Sequence, residues 1–179
     1  PGSVVTAVYN VTVLSSANMG DVANMTTQID GDLNYAQTVD FMIRIGFINE
    51  DFETGNFESF DWEMSGAANW TIVSDAYEGM YCARSGAISH NQTSSLSLTM
   101  DVLAAGEISF YKKVSSENNY DYLKFYINNQ LQGSWCGTSA WSQETYNVSA
   151  GSDVEFVWTY SKDGSVSTGS DCGWIDYIV

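Results

Sequence analysis

Apolar residues recur at every second position along most of this chain, and no segment sustains the 3.6-residue spacing of an amphipathic helix. Val39, Phe41, Ile43, Ile45 and Phe47 alternate with Thr38, Asp40, Met42, Arg44 and Gly46. A β-strand turns successive side chains to opposite faces, so this pattern predicts a half-buried strand. The same period runs through Val5-Ala7-Tyr9-Val11-Val13, Leu96-Leu98-Met100-Val102, Leu123-Phe125-Ile127 and Val154-Phe156-Trp158-Tyr160.

The punctuation between these segments is glycine and asparagine, since the chain holds one proline against 15 glycines. Asn128-Asn129, set between Phe125-Tyr126-Ile127 and Gln130-Leu131-Gln132, predicts a tight hairpin in which both asparagines take positive φ. Ala105-Gly106 and Asp163-Gly164 predict further turns. Many short strands with no helix between them predict an all-β chain, an antiparallel β-sandwich of the jelly-roll kind. A boundary falls near Asn49-Glu50, where an acidic turn opens a new pattern. Residues 1–49 are too few for a sandwich of their own and read as a strand-rich arm or partial unit. Residues 50–179 suffice for a complete jelly roll.

Charge narrows the function. Six Lys plus Arg against 22 Asp plus Glu give a net charge of −16 over 179 residues, which repels nucleic acid and anionic lipid alike. Neither is an expected partner. No apolar run reaches the ~18 residues of a membrane span, so no membrane insertion is expected. The opening Pro1-Gly2-Ser3 reads as a mature or excised segment. Sparse charge with abundant Ser, Thr, Asn and Gly fits a secreted or cell-surface protein. Cys82, Cys136 and Cys172 have no metal or redox spacing, leaving either one bridge with one free thiol or three free thiols. His90 is the only histidine. It has no nucleophile signature around it, and the expectation is a turn histidine in a chain that is not an enzyme.

From Asp51-Phe52-Glu53-Thr54-Gly55-Asn56-Phe57 onward the sequence resembles the MAM-like, cleaved-adhesin-like jelly-roll modules appended to secreted gingipain-like cysteine peptidases and adhesins. The likeness runs through Ala76-Tyr77-Glu78-Gly79-Met80-Tyr81-Cys82 and Gly106-Glu107-Ile108-Ser109-Phe110-Tyr111. It closes with Trp158-Thr159-Tyr160-Ser161-Lys162-Asp163-Gly164 and Asp171-Cys172-Gly173-Trp174-Ile175-Asp176-Tyr177. Residues 1–49 are similar to the trailing strands of an Ig-like domain that precedes such modules, with the leading strands missing. The resemblance implies a structural calcium ion tying the opening strand to the closing one. Its ligands would come from Asp51 and Glu53, from the Glu78-Gly79 loop and from Asp176. Asp176 also has a claim of its own: it lies in Trp174-Ile175-Asp176-Tyr177-Ile178-Val179, where both faces read as buried, and a buried carboxylate needs a partner. A hard cation or backbone amides would serve.

Aromatic residues admit a glycan-binding reading, because Trp and Tyr faces stack on sugar rings. Trp135 and Trp141 flank an expected loop at residues 136–140, with Tyr120 and Tyr122 nearby in a polar stretch. Sequons at Asn10, Asn24, Asn69, Asn91 and Asn147 are possible glycosylation sites if the source glycosylates. The expectation is a non-catalytic, calcium-stabilised adhesion or assembly module. Other protein chains or cell-surface glycans are the expected partners, with self-assembly through residues 1–49 as a further possibility.

Overall fold

The structure is a computed structural model that describes residues 22–31, 35–44 and 49–179. The chain divides into two compact units, residues 1–47 and 48–179. In the first, β1 (Val22–Gly31) and β2 (Tyr35–Arg44) form an antiparallel hairpin. Its register sets Met25 against Phe41, Thr27 against Val39 and Ala23 against Ile43, which places these apolar residues and Ile29 on one face. Ile29, Val39 and Phe41 are each at least 40% exposed on this unit. On the opposite face Thr26 donates a 2.7 Å hydrogen bond to Asp40. The segment Val5–Val13 and residues 45–47 of the Val39–Phe47 alternation lie outside the described residues.

The second unit is a two-sheet antiparallel sandwich. Its strands are β3 (Glu63–Gly66), β4 (Thr71–Val73), β5 (Cys82–Arg84), β6 (Thr93–Val102), β7 (Gly106–Ser115), β8 (Tyr122–Ile127), β9 (Gln130–Trp135), β10 (Thr138–Val148), β11 (Gly151–Ser161) and β12 (Cys172–Asp176). One sheet runs β10-β7-β12-β5-β4 and the other β3-β6-β11-β8-β9. Among the described residues there is no helix.

The alternation read from the sequence is what fills the space between the sheets. Leu96 and Leu98 of β6, Ile108 and Phe110 of β7, Leu123 and Phe125 of β8, and Phe156, Trp158 and Tyr160 of β11 are buried. Aromatic contacts chain through this core, with Phe110 edge-on to Phe125 and to Trp158 at 4.8 and 5.4 Å between ring centres. Such edge-to-face pairs add roughly 0.5–1.5 kcal/mol each beyond the area they bury. At the β8–β9 hairpin, Asn128 and Asn129 both take positive φ, 48° and 63°, as the two-residue turn requires.

The module opens and closes on itself. Glu50 and Ile178 exchange backbone hydrogen bonds of 2.8 and 2.9 Å. The Glu50 side chain is 2% exposed; it accepts from the Phe52 amide at 2.8 Å and the Trp62 indole at 3.2 Å. The last strand, β12, lies in the middle of its sheet between β7 and β5, and all five of its residues are buried.

Candidate functional site

Alternation along β12 sends Ile175 into the core, whereas Cys172 and Trp174 join a second cluster with Cys82, flanked by Val73, Ala76 and Trp141. Asp176 shares the parity of Cys172 and Trp174. The segment between β4 and β5 packs Ala76 against this cluster, and two carboxylates hold the segment in place. Asp176, fully buried, accepts from the amides of Tyr77 at 2.8 Å and Glu78 at 3.1 Å, and from that of Tyr177 at 2.8 Å. Glu53 accepts from the amides of Met80 at 2.7 Å and Tyr81 at 2.8 Å. Gly79 sits over that carboxylate with positive φ, and a Cβ there would lie 2.4 Å from Glu53 Cδ. A larger residue would have to take up that φ and displace the Glu53 carboxylate from its amides.

Amides are neutral dipoles, so the charge on Asp176 is solvated but not cancelled. Burial, against the pull of the three amides and with a further push from the Glu53 carboxylate, leaves its carboxyl raised to about 6. Cys82 is pushed up to about 12 by burial and by Asp176, which makes it an inert thiol. All three cysteines are free.

Beside this clasp the sheet carries an aromatic ledge. Tyr77 lies flat on Tyr111, 3.5 Å between centres and 11° between planes, and edge-on to Trp141 at 6.4 Å. The Lys113 ammonium lies 4.3 Å from the Trp174 ring centre and 5.3 Å from that of Trp141, and 2.5 Å from an Asp75 oxygen. Tyr77 is 43% exposed.

A second polar network stands near the start of β12, where the Lys162 side chain is wholly buried. Its ammonium donates to Asp121 at 3.0 Å, to Asp171, to Ser167 at 3.1 Å and to the Val166 carbonyl at 3.3 Å. Tyr160 donates to Asp171 at 2.9 Å. Burial works to lower the Lys162 ammonium, yet the bonds to Asp171 and Asp121 hold it above its ordinary value. Asp171 is lowered in turn: burial opposes, and the bonds from Lys162, Ser167 and Tyr160 prevail. The Asp121, Asp163 and Glu117 carboxylates lie beside this network with oxygens all within 4.8 Å of one another. Burial, then Asp163 and Asp121, push Glu117 up.

The residues expected from the sequence are thereby placed. Glu53 and Asp176 meet on one loop. Asp51 instead accepts the Glu53 amide at 3.1 Å, and the Glu78 side chain is exposed, its backbone amide serving Asp176. The four do not form a group of converging carboxylates; among the described residues that arrangement is found only at Glu117, Asp121 and Asp163. For a hard cation the donors at the clasp are of the right kind, oxygen only, and the unneutralised charge of Asp176 is what such an ion would relieve. Glu53 and Asp176 are the residues that could share it.

The expected loop at residues 136–140 is a two-residue turn, Cys136-Gly137, with Gly137 at φ 72°. It passes the chain from one sheet to the other, so Trp135 and Trp141 do not form one surface. Trp135 packs toward the core, edge-on to Phe110 at 6.1 Å, whereas Trp141 joins the ledge. Tyr120 is 57% exposed in the turn before β8, and Tyr122 is half-buried at its start. His90 is exposed in a turn, as expected. Asn24, Asn69, Asn91 and Asn147 are exposed; Asn10 lies outside the described residues. Sequence reasoning missed Tyr77, Tyr111, Lys162, Asp121 and Asp171. A lysine within Tyr160-Ser161-Lys162-Asp163, in a chain with six basic residues, was the available signal for the network.

No protein-family model matches the chain, and no curated protein matches it in sequence. Solved structures do share its fold. The K1 cleaved adhesin domain of Lys-gingipain from Porphyromonas gingivalis W83 matches with a TM-score of 0.52 at 16% identity, over 73% of this chain and 95% of that one. The CBM22-1 xylan-binding domain of Paenibacillus barcinonensis Xyn10C matches with 0.52 at 19%, over 73% of this chain and 90% of that one. The secreted serine protease VesC of Vibrio cholerae matches with 0.56 at 14%, over 90% of this chain and 34% of that one. The fold is thus that of cleaved-adhesin and carbohydrate-binding β-sandwiches, as the sequence resemblance implies.

Proposed function

We propose that this chain is a non-catalytic recognition module of a secreted or cell-surface protein. It presents the outer face of the β10-β7-β12-β5-β4 sheet to another protein chain or to a cell-surface glycan. One observation carries the reading: a partly exposed aromatic ledge is held in fixed geometry by a loop whose amides are bound to two carboxylates. Pre-ordered surfaces lose little entropy on binding, which is what recognition requires. Its structural neighbours, an adhesin domain and a xylan-binding domain, support the same reading. Catalysis has no place in it, since His90 is an exposed turn residue with no nucleophile signature around it.

Calcium belongs to the proposal as a stabiliser. An ion shared by Glu53 and Asp176 would cancel the charge that the amides only solvate. A second reading, assembly through residues 1–49, is favoured by the apolar face of the β1–β2 hairpin, where Ile29, Val39 and Phe41 stand exposed on their unit. A two-stranded hairpin with one apolar face needs cover to be stable.

Both readings are tested by one pair of proteins, the full chain and residues 50–179. Recognition by the sandwich predicts that both bind the same intact cells or extracellular matrix, with no turnover in a broad peptidase and glycosidase screen. Assembly through the arm predicts higher light scattering for the full chain alone. Turnover abolished by His90→Ala would overturn the non-catalytic reading, and equal monomeric scattering would remove the assembly reading.

A further inference from the structure

We infer that the exposed face of Tyr77 is a stacking platform for a neutral saccharide ring, with Trp141 and the Asp75–Lys113 pair beside it. This rests on the recognition reading above and gives it a ligand class. The inner face of the Tyr77 ring is taken by Tyr111 at 3.5 Å and an edge meets Trp141. Tyr77 as a whole nevertheless stays 43% exposed. A tyrosine free to swing would lose rotamer entropy on binding, but here the backbone is tied at Tyr77 and Glu78 to Asp176 and at Met80 and Tyr81 to Glu53.

The chemistry around the ring selects the ligand. A pyranose offers a face of C–H groups that stacks on an aromatic ring, and a rim of hydroxyls that needs both donors and acceptors. Lys113 supplies an ammonium whose side chain is 18% exposed, and Asp75 a carboxylate 60% exposed. Asp75, Glu78 and Glu53 make the surroundings acidic, in a chain of net charge −16, so phosphorylated, sulfated and sialylated ligands are repelled. A protein partner needs on the order of 800 Å² from each side, far more than one tyrosine face, whereas a single sugar ring is matched to it.

The test is binding of the full chain to an array of neutral and acidic oligosaccharides, followed by calorimetric titration of the strongest neutral binder. Tyr77→Ala is expected to weaken that binding about tenfold or more while shifting the melting temperature little. Tyr77→Phe, which keeps the ring, should retain most of the affinity, and acidic glycans should not bind. If no neutral saccharide binds at millimolar concentration, or if Tyr77→Ala leaves saccharide affinity unchanged, the inference is overturned. Cell binding that persists without any saccharide binding, and is lost in Tyr77→Ala, would overturn the saccharide alone and leave the recognition reading standing. Loss of both would remove the two together.

Discussion

Two aspartates near the ends of β12 face the same problem and meet it differently. Asp171, just before the strand, is neutralised by the buried ammonium of Lys162 and held below its ordinary carboxyl range. Asp176, the last residue of the strand, is bonded to three amides and held up at about 6. Hydrogen bonding satisfies lone pairs, but only an opposite charge cancels a charge in a medium of low polarisability. Lys162 gives the buried aspartates at its end an internal counter-ion, whereas Asp176 has three backbone amides and no ammonium paired with it among the described residues.

The strongest way to break this contrast is to remove the internal cation. Lys162→Met would leave the fully buried Asp121 without its ion partner, and stripping one member from such a pair costs about 3–5 kcal/mol. The denaturant midpoint should fall accordingly. Adding Asp121→Asn to that variant should recover part of the loss, and no recovery would mean that packing, not charge, holds this end together.

Next in size is a pair of opposed pH dependences in calcium-free buffer. Asp176 is raised from 3.8 to about 6, so the folded chain binds its proton more tightly than the unfolded one. Its contribution to stability is complete below 3.8 and is lost as pH rises through about 6. Asp171 is lowered, so its contribution is present above 3.8 and is lost as pH falls below that value. Denaturation followed from pH 3 to pH 7 should therefore show Asp176→Asn flattening the upper part of the profile and Asp171→Asn the lower part. A single variant that flattens both would merge the two ends into one network.

Calcium gives the smallest effect. Extracellular sites bind with dissociation constants of about 10⁻⁴–10⁻³ M, so millimolar calcium should add only on the order of 1 kcal/mol by mass action. Thermal melts with chelator and with calcium should differ by a few degrees, and Asp176→Asn should abolish the difference. Identical wild-type melts, with no metal found by elemental analysis, would make Asp176 an amide-bonded core carboxylate.

Much of this was legible in the sequence where one local rule decided the outcome. Period two gave the strand faces, and Asn128-Asn129 gave the hairpin, because each depends on neighbours in sequence. Asp176 stood out for the same reason, a carboxylate inside an apolar strand. The ledge was not legible: Tyr77, Tyr111 and Trp141 come from a loop and two strands, and they meet only once β7 pairs with β10 and β12. Trp135 and Trp141 misled because only five residues separate them in the chain whereas the turn at Gly137 sends them to different sheets. The inward lysine Lys112, 3.4 Å from Glu144, shows the same limit, since alternation gives a face but not the partner waiting on it.

The central position of β12 has a consequence for how the molecule comes into being. Both β7 and β5 hydrogen-bond to a strand that leaves the ribosome, or any export channel, after they do. Until residues 172–178 emerge, that sheet has a gap through its middle, and the Glu50–Ile178 pairing that seals the module cannot form. Closure requires contacts across almost the whole module, the kind of long-range pairing that folds slowly. The sandwich can therefore close only once residues 172–178 are free to pair with β5, β7 and Glu50.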